Sequence, residues 1–401
     1  MDFNDFEPGR DGNGEFGGFS RGYSPYSTPR WDDFTLDDEE AAKKRFSRIF
    51  LSLFVYQLIT LVLVNGAAVV ASFIWGEGAA EKLSYTVLLI INSIAAYAIA
   101  FPVLFLMQRR LRSTERTKTN ISFGKFMLIF LVAEAFMYIG NIIGTTVNNV
   151  ISVIIGAPID NSTADMILNT PLYVIIPIAV VIGPIFEELI FRKLMIDKLG
   201  MYGDKLAIVV SAIAFGIFHG NLYQFFYAAM LGLVLGYIYT RTGNILYPIA
   251  LHMLINLFGS AVPMLFYDEL IAYEEYAQQM IEGVPIEDMA EFLRVTLIAG
   301  TYSMIQLGMV IAGIIIFFTQ RKRIFVSDRC EVLIPKKRRW GVIVGNVGAI
   351  LFLVLMGILI TSEIVIPMVE QMLEGGGTIT PDGLPPEAIP PTDGTPDIPD
   401  M

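Results

Sequence analysis

Four short clusters place ionisable or amide side chains inside strongly apolar sequence. The first is Glu187-Glu188 with Arg192, and the second is Phe215 with His219. The third is His252 with Asn256, and the fourth is a row of Glu134, Asn141 and Asn148. The chain has two histidines, and both fall in these clusters. Helical spacing gives each cluster a geometry. Glu188 and Arg192 are four apart and can pair on one face, which offsets part of the cost of burying either charge. Glu187 projects about 100° away and is left free of that arginine. Phe215 and His219 share a face, as do His252 and Asn256, so each pair presents two polar tips to one region.

Depth agrees with a meeting point. At about 1.5 Å per residue, Glu187 lies roughly 16 Å from a helix end at Lys198. His219 lies roughly 21 Å from Lys205, and His252 roughly 12 Å from Asn244. The three groups could therefore meet in the cytoplasmic half of the core or near its midplane. Hydrolysis of a peptide bond needs an activated water, a base and a donor for the oxyanion. A glutamate beside two histidines and an asparagine supplies all three. Two histidines and a carboxylate also make the three-ligand pattern of catalytic zinc, so the metal ligands would be His219 and His252. A metal-free glutamate mechanism uses the same residues. Other intramembrane hydrolase signatures are missing: there is no His-Glu-x-x-His, and Gly200-Met201-Tyr202-Gly203-Asp204 has one residue too many for Gly-x-Gly-Asp. Glu134 with its asparagines reads as structural, because amides commonly join helices in a bilayer.

The elements that must position these groups are membrane helices. The 401-residue chain is 54% hydrophobic and 17% charged, against about a quarter charged in a soluble domain. Apolar runs near 49–75, 86–107, 126–155, 171–198, 222–240, 245–266, 296–319 and 340–366 each approach the roughly 20 residues that cross a hydrocarbon core. A shorter run, 206–218, ends at the tip His219-Gly220-Asn221. The expected fold is all-α, a polytopic transmembrane bundle of about eight or nine membrane segments. All of the 28 Lys and Arg except Lys82 and Arg294 fall on one side when 206–240 enters and returns as a pair. The positive-inside rule then puts the N-terminus in the cytoplasm. The first 45 residues lack a cleavable signal pattern, so the first span serves as an uncleaved anchor.

Six regions follow: a disordered cytoplasmic tail over 1–45, N-terminal transmembrane helices over 46–170, a catalytic core over 171–266, an acidic exterior loop over 267–295, C-terminal helices with a basic cytoplasmic loop over 296–370, and a disordered Pro-rich acidic tail over 371–401. The net charge of −11 sits in the tails and the acidic loop and suggests no nucleic-acid partner. The single Cys330 allows no intrachain disulfide. No internal repeat is visible, which disfavours a transporter built on inverted repeats.

Glu-Glu-x-x-x-Arg at 187–192, Phe-x-x-x-His at 215–219 and His-x-x-x-Asn at 252–256 resemble, in order and separation, the CAAX protease and bacteriocin-processing (Abi) family, which includes the Ras-converting type CAAX endopeptidases. The resemblance covers roughly 170–266. It implies an intramembrane endopeptidase, generally classed as a metalloprotease. Glu187 would activate water, Arg192 would hold Glu188, and His219 would position the water or bind zinc. His252 and Asn256 would stabilise the oxyanion or complete a metal site. The implied partners are the lipid bilayer and a membrane-embedded or lipidated peptide. Eukaryotic relatives of this type trim prenylated proteins, whereas prokaryotic ones are associated with bacteriocin maturation or self-immunity. The absence of an organelle-retention signal and the long acidic tail favour a prokaryotic plasma membrane. The alternatives are a non-catalytic immunity or scaffold protein, and an ion-coupled transporter using Glu134, Glu187 and the histidines.

Overall fold

A computed structural model describes residues 34–76, 83–159, 161–324, 326 and 330–374, with side chains up to 369. Twelve helices make up the described residues: α1 Leu36–Trp75, α2 Tyr85–Gln108, α3 Phe123–Ile155, α4 Ser162–Leu168, α5 Leu172–Tyr202, α6 Asp204–Phe218, α7 Leu222–Thr242, α8 Leu246–Met264, α9 Tyr267–Glu282, α10 Met289–Arg323, α11 Lys336–Ile343 and α12 Val347–Glu374. Eight of them, α1, α2, α3, α5, α7, α8, α10 and α12, are long and apolar enough to cross a membrane. The short α6 has 15 residues, about 22 Å of rise, and enters the bundle as half of a hairpin with α7.

Three expected boundaries move. The stretch 34–45, expected to continue a disordered tail, is helical from Leu36. Thr35 and Asp38 form a capping box there: the Thr35 hydroxyl accepts from Asp38 N, and Thr35 N donates to the Asp38 carboxylate. That pattern satisfies two orphan donors and starts the helix well before hydrophobicity begins. The acidic 267–295 segment is mostly helical, with α9 inside it and α10 beginning at Met289, where Asp288 accepts from Ala290 N and Glu291 N. Residues 371–374 continue α12. The tail expectations for 1–33 and 375–401 lie outside the described residues.

Two apolar cores hold the bundle. One packs α1, α2, α5, α6, α7, α11 and α12 around Phe46, Leu53, Leu104, Phe191, Phe215 and Phe352. The other packs α3, α7 and α8 around Phe130, Leu235 and Ile255. Lipid offers side chains as apolar a setting as a protein core, so helices in a bilayer associate through close packing at small residues. The α6–α7 hairpin is built this way. A methyl on Gly216 would lie 2.5 Å from Phe225 O, and one on Gly232 would lie 2.9 Å from Ala212 Cα.

The basic segments gather at one end of the bundle. Arg45 donates to Arg112 O and Lys198 O, and Lys198 Nζ to Leu111 O and Ser113. Arg116 bridges Asp197 at 2.9 Å and Asp204 at 2.8 Å, while the Tyr239 hydroxyl donates to Asp197. Burial disfavours the Arg116 charge, but the two carboxylates outweigh it and push its pKa above the ordinary value. Thr114 N to Asp197 O and Thr119 N to Thr242 O tie the 109–122 connection across the ends of α5 and α7. Residues 108–125, 192–205 and 241–244 therefore share one end of the bundle, as their charge suggests.

Four helical stretches among the described residues are wider than an α-helix. The turns Ile94–Ala100 in α2, Ile176–Ile182 and Leu189–Ile196 in α5, and Leu257–Ala261 in α8 are widened to π-helix. Three of these turns end two residues before a proline: Pro102, Pro184 and Pro263. A proline ring clashes with the carbonyl four residues back and removes one backbone bond, and widening the preceding turn relieves both. Such turns often occur at functional sites.

Candidate active site

The ion pair foreseen from spacing is present and fully buried. Arg192 Nε donates to Glu188 Oε2 at 2.8 Å and one terminal nitrogen donates to Oε1 at 3.2 Å. The other terminal nitrogen donates to the Ser211 hydroxyl at 3.1 Å, and Ser211 donates on to Phe191 O at 2.9 Å. The guanidinium also lies over the Phe215 ring, 5.0 Å from its centroid. A buried charge pair persists only when its remaining bonds are satisfied, and here Ser211 and Phe215 do that from α6. Ser211 escaped sequence reasoning, because a lone serine in an apolar run carries no pattern that separates it from a helix-packing residue.

Glu188 reaches beyond the arginine. His252 Nδ1 lies 3.0 Å from Glu188 Oε1. A carboxylate already held by arginine is an acceptor, so Nδ1 carries the proton and Nε2 is left with its lone pair. That Nε2 faces Glu187 Oε2 at 3.7 Å. Glu188 thus orients His252, and His252 faces Glu187. Glu187 is the accessible member of the pair, its side chain 23% exposed against none for Glu188. Two adjacent glutamates therefore sit in opposite settings, one locked and one reachable.

His219 lies at the C-terminal tip of α6. Its Nδ1 sits 2.8 Å from Phe215 O; a carbonyl only accepts, so this ring too presents Nε2. Gly220 turns the chain with φ of 76°, a conformation that favours glycine. Asn221 then caps α7 by accepting from Gln224 N. Gln57 of α1 donates to Phe218 O and anchors the tip. The Phe215 ring packs edge-on against both histidines, 5.0 Å from His219 and 5.7 Å from His252 between centroids.

The expectation that His252 and Asn256 aim their polar tips at one point is met only by the histidine. The Asn256 amide donates to Ala179 O of α5 at 2.9 Å, which fastens α8 to α5. Its second N–H and its oxygen have no partner among the described residues. The fourth cluster does not join the site. Asn148 bonds back to Gly144 O of its own helix, Asn141 is exposed, and Glu134 is buried with no partner at Oε1. The asparagines thus do not bridge helices as expected.

The donor set falls short of a zinc site among the described residues. Glu187 and His252 are close enough to share an ion, but among the described residues no three His, Cys, Asp or Glu side chains converge on a metal position. A catalytic zinc takes three protein ligands. His219 and His252 with Glu187 do not form that set.

Residues 169–258 match the family described as "Type II CAAX prenyl endopeptidase Rce1-like". The segment contains Glu187, Glu188, Arg192, His219, His252 and Asn256 and leaves out Glu134, Asn141 and Asn148. A 107-residue stretch is 34% identical to the protein named "Putative membrane peptidase YdiL" of Bacillus subtilis (strain 168), covering 26% of this chain and 43% of that relative. The alignment therefore spans less than half of the relative's length. No solved structure matches the chain significantly.

Proposed function

We propose that this chain, whose segment 169–258 is similar to the type II CAAX prenyl endopeptidase Rce1-like family, is an intramembrane endopeptidase that hydrolyses a membrane-associated peptide with water activated by Glu187. The observation that carries the reading is the division of labour between the paired glutamates. Glu188 is neutralised by Arg192 and spent on orienting His252. Glu187 is left reachable, facing an imidazole nitrogen.

In this reading Glu187 takes a proton from water as the water oxygen bonds to the peptide carbonyl carbon. The carbonyl π pair moves onto oxygen. His219 Nε2 accepts the water's second hydrogen and sets its direction. His252, held at Nδ1 by Glu188, accepts at Nε2 from the Glu187 carboxyl once that group carries the water's proton. The second N–H of Asn256 is the donor offered to the oxyanion in this reading. Glu187 then returns its proton to the leaving nitrogen as the oxyanion pair re-forms the carbonyl and the C–N bond breaks, giving a carboxylic acid and an amine. A zinc-free route is favoured because the third ligand is not assembled.

The substrate class follows from the setting: a carboxylate within apolar spans is reached most readily by a peptide held in the bilayer, whether a membrane-embedded segment or a lipidated chain end. We place the protein in a prokaryotic plasma membrane with the basic end cytoplasmic.

The test offers purified full-length protein two internally quenched peptides, one a single membrane span and one ending in a farnesylated Cys-a-a-X sequence. The reading expects cleavage of at least one. Glu187→Gln lowers kcat by about 10²–10⁴, the range for loss of a general base. Unchanged cleavage by Glu187→Gln, or none by the wild type, overturns it.

A further inference from the structure

The π-helical turn in α2 lies far in sequence from the family-matched segment, yet it carries a side chain to the site. Tyr97 stands in the middle of Ile94–Ala100. Its ring stacks on Phe186, the neighbour of Glu187, with centroids 4.7 Å apart and planes 16° from parallel. Phe101 packs edge-on against Phe186 at 4.9 Å. The ring is therefore fixed by packing, and its hydroxyl is aimed along α5.

The hydroxyl ends over Gly183, one turn before Glu187. The position a Cβ would take at Gly183 is 3.4 Å from Tyr97 Oη and 3.9 Å from Glu187 Oε1. Hydroxyl and carboxylate thus flank one point, and Gly183 leaves it clear. Tyr97 is close enough to Glu187 to feel its charge. Its hydroxyl has no hydrogen-bond partner among the described residues. A phenol in a bundle core ordinarily finds a hydrogen-bond partner. Here the donor is fixed and unspent beside the base.

We propose that Tyr97 is a further catalytic residue, donating its hydroxyl hydrogen to the oxyanion that forms when the Glu187-activated water adds to the peptide carbonyl. This rests on the hydrolytic reading of the site. The step is the one already balanced: the water O–H breaks toward Glu187, the C–O bond forms, and the π pair on oxygen is stabilised by the Tyr97 O–H, which stays protonated. The widened turn gives the placement a cause, since Pro102 displaces the backbone that bears Tyr97.

Tyr97→Phe keeps the ring on Phe186 and removes only the donor. The experiment measures kcat and KM of the full chain on whichever of the two quenched peptides the wild type cleaves. It expects kcat to fall by about 10²–10³, the usual loss of one oxyanion donor, with KM within about twofold and an unchanged thermal melt. A kcat within twofold of wild type overturns the assignment, as does a loss matched by a lowered melt. Full activity in Tyr97→Phe with none in Glu187→Gln removes Tyr97 alone; full activity in Glu187→Gln, or no wild-type cleavage, removes the hydrolytic reading and this inference with it.

Discussion

Replacing Arg192 by methionine separates the architecture of the site from its chemistry. The side chain is fully buried and gives Glu188 two hydrogen bonds and Ser211 one. Methionine fills a similar volume but leaves Glu188 as an uncompensated carboxylate in the interior. Breaking a buried pair in this way costs about 3–5 kcal/mol, roughly a 10²- to 10⁴-fold loss in the folded-to-unfolded ratio. Removing both charges in Glu188→Leu with Arg192→Met should restore most of it, since well-packed apolar replacements of a buried pair are often neutral. Activity should behave differently. The double variant no longer holds His252 at Nδ1, so its kcat stays low although its stability returns. The assay is reversible unfolding in mixed micelles by SDS titration, followed on tryptophan fluorescence, with peptide cleavage measured on the same samples. A single variant within about 1 kcal/mol of wild type would refute the stability argument, for a broken buried pair must cost more than that. A double variant of full activity would refute the role given to Glu188.

Three further outcomes follow from the same geometry. Gly216→Ala should destabilise by about 1–3 kcal/mol, the usual cost of overpacking, because its methyl meets Phe225 O at 2.5 Å; the same unfolding titration checks it. Asp197→Ala should leave Arg116 and Tyr239 without their shared acceptor, and hydrogen exchange over residues 109–122 should quicken while the α8 amides keep their protection. In a Cys330→Ser background, a membrane-impermeant maleimide should label Glu275→Cys on intact cells and Lys44→Cys only after lysis. The reverse pattern would invert the topology.

Much of the site was legible because membrane burial makes polar residues rare and therefore informative. Two histidines and a glutamate pair in apolar sequence stand out by cost alone, and the four-residue spacing of Glu188 and Arg192 dictated their bidentate pairing. The link from Glu188 to His252 was not legible, since it joins α5 to α8 and depends on how the spans pack. Asn256 shares a face with His252, but its amide bonds Ala179, a partner that helical periodicity within α8 cannot name. Ser211 and Tyr97 were missed for a related reason: serines and tyrosines are ordinary in membrane helices, and only contact with Arg192 or Phe186 sets them apart. The start of α1 at Leu36 was hidden because hydrophobicity marks where a helix enters lipid, whereas the Thr35–Asp38 capping box marks where it begins. The prolines 102, 184 and 263 were visible throughout. Their effect on the preceding turns needed the backbone.

The central claim, that Glu187 drives a water into a peptide bond, is tested most directly by isotope. Purified protein, freed of metal by chelation, is given the peptide that the wild type cleaves in water enriched in oxygen-18, and the products are weighed by mass spectrometry. One heavy oxygen should appear in the new C-terminal carboxylate in a single turnover with wild type, and none above background with Glu187→Gln. Equal incorporation by Glu187→Gln would contradict the claim, and so would cleavage that appears only when metal is restored.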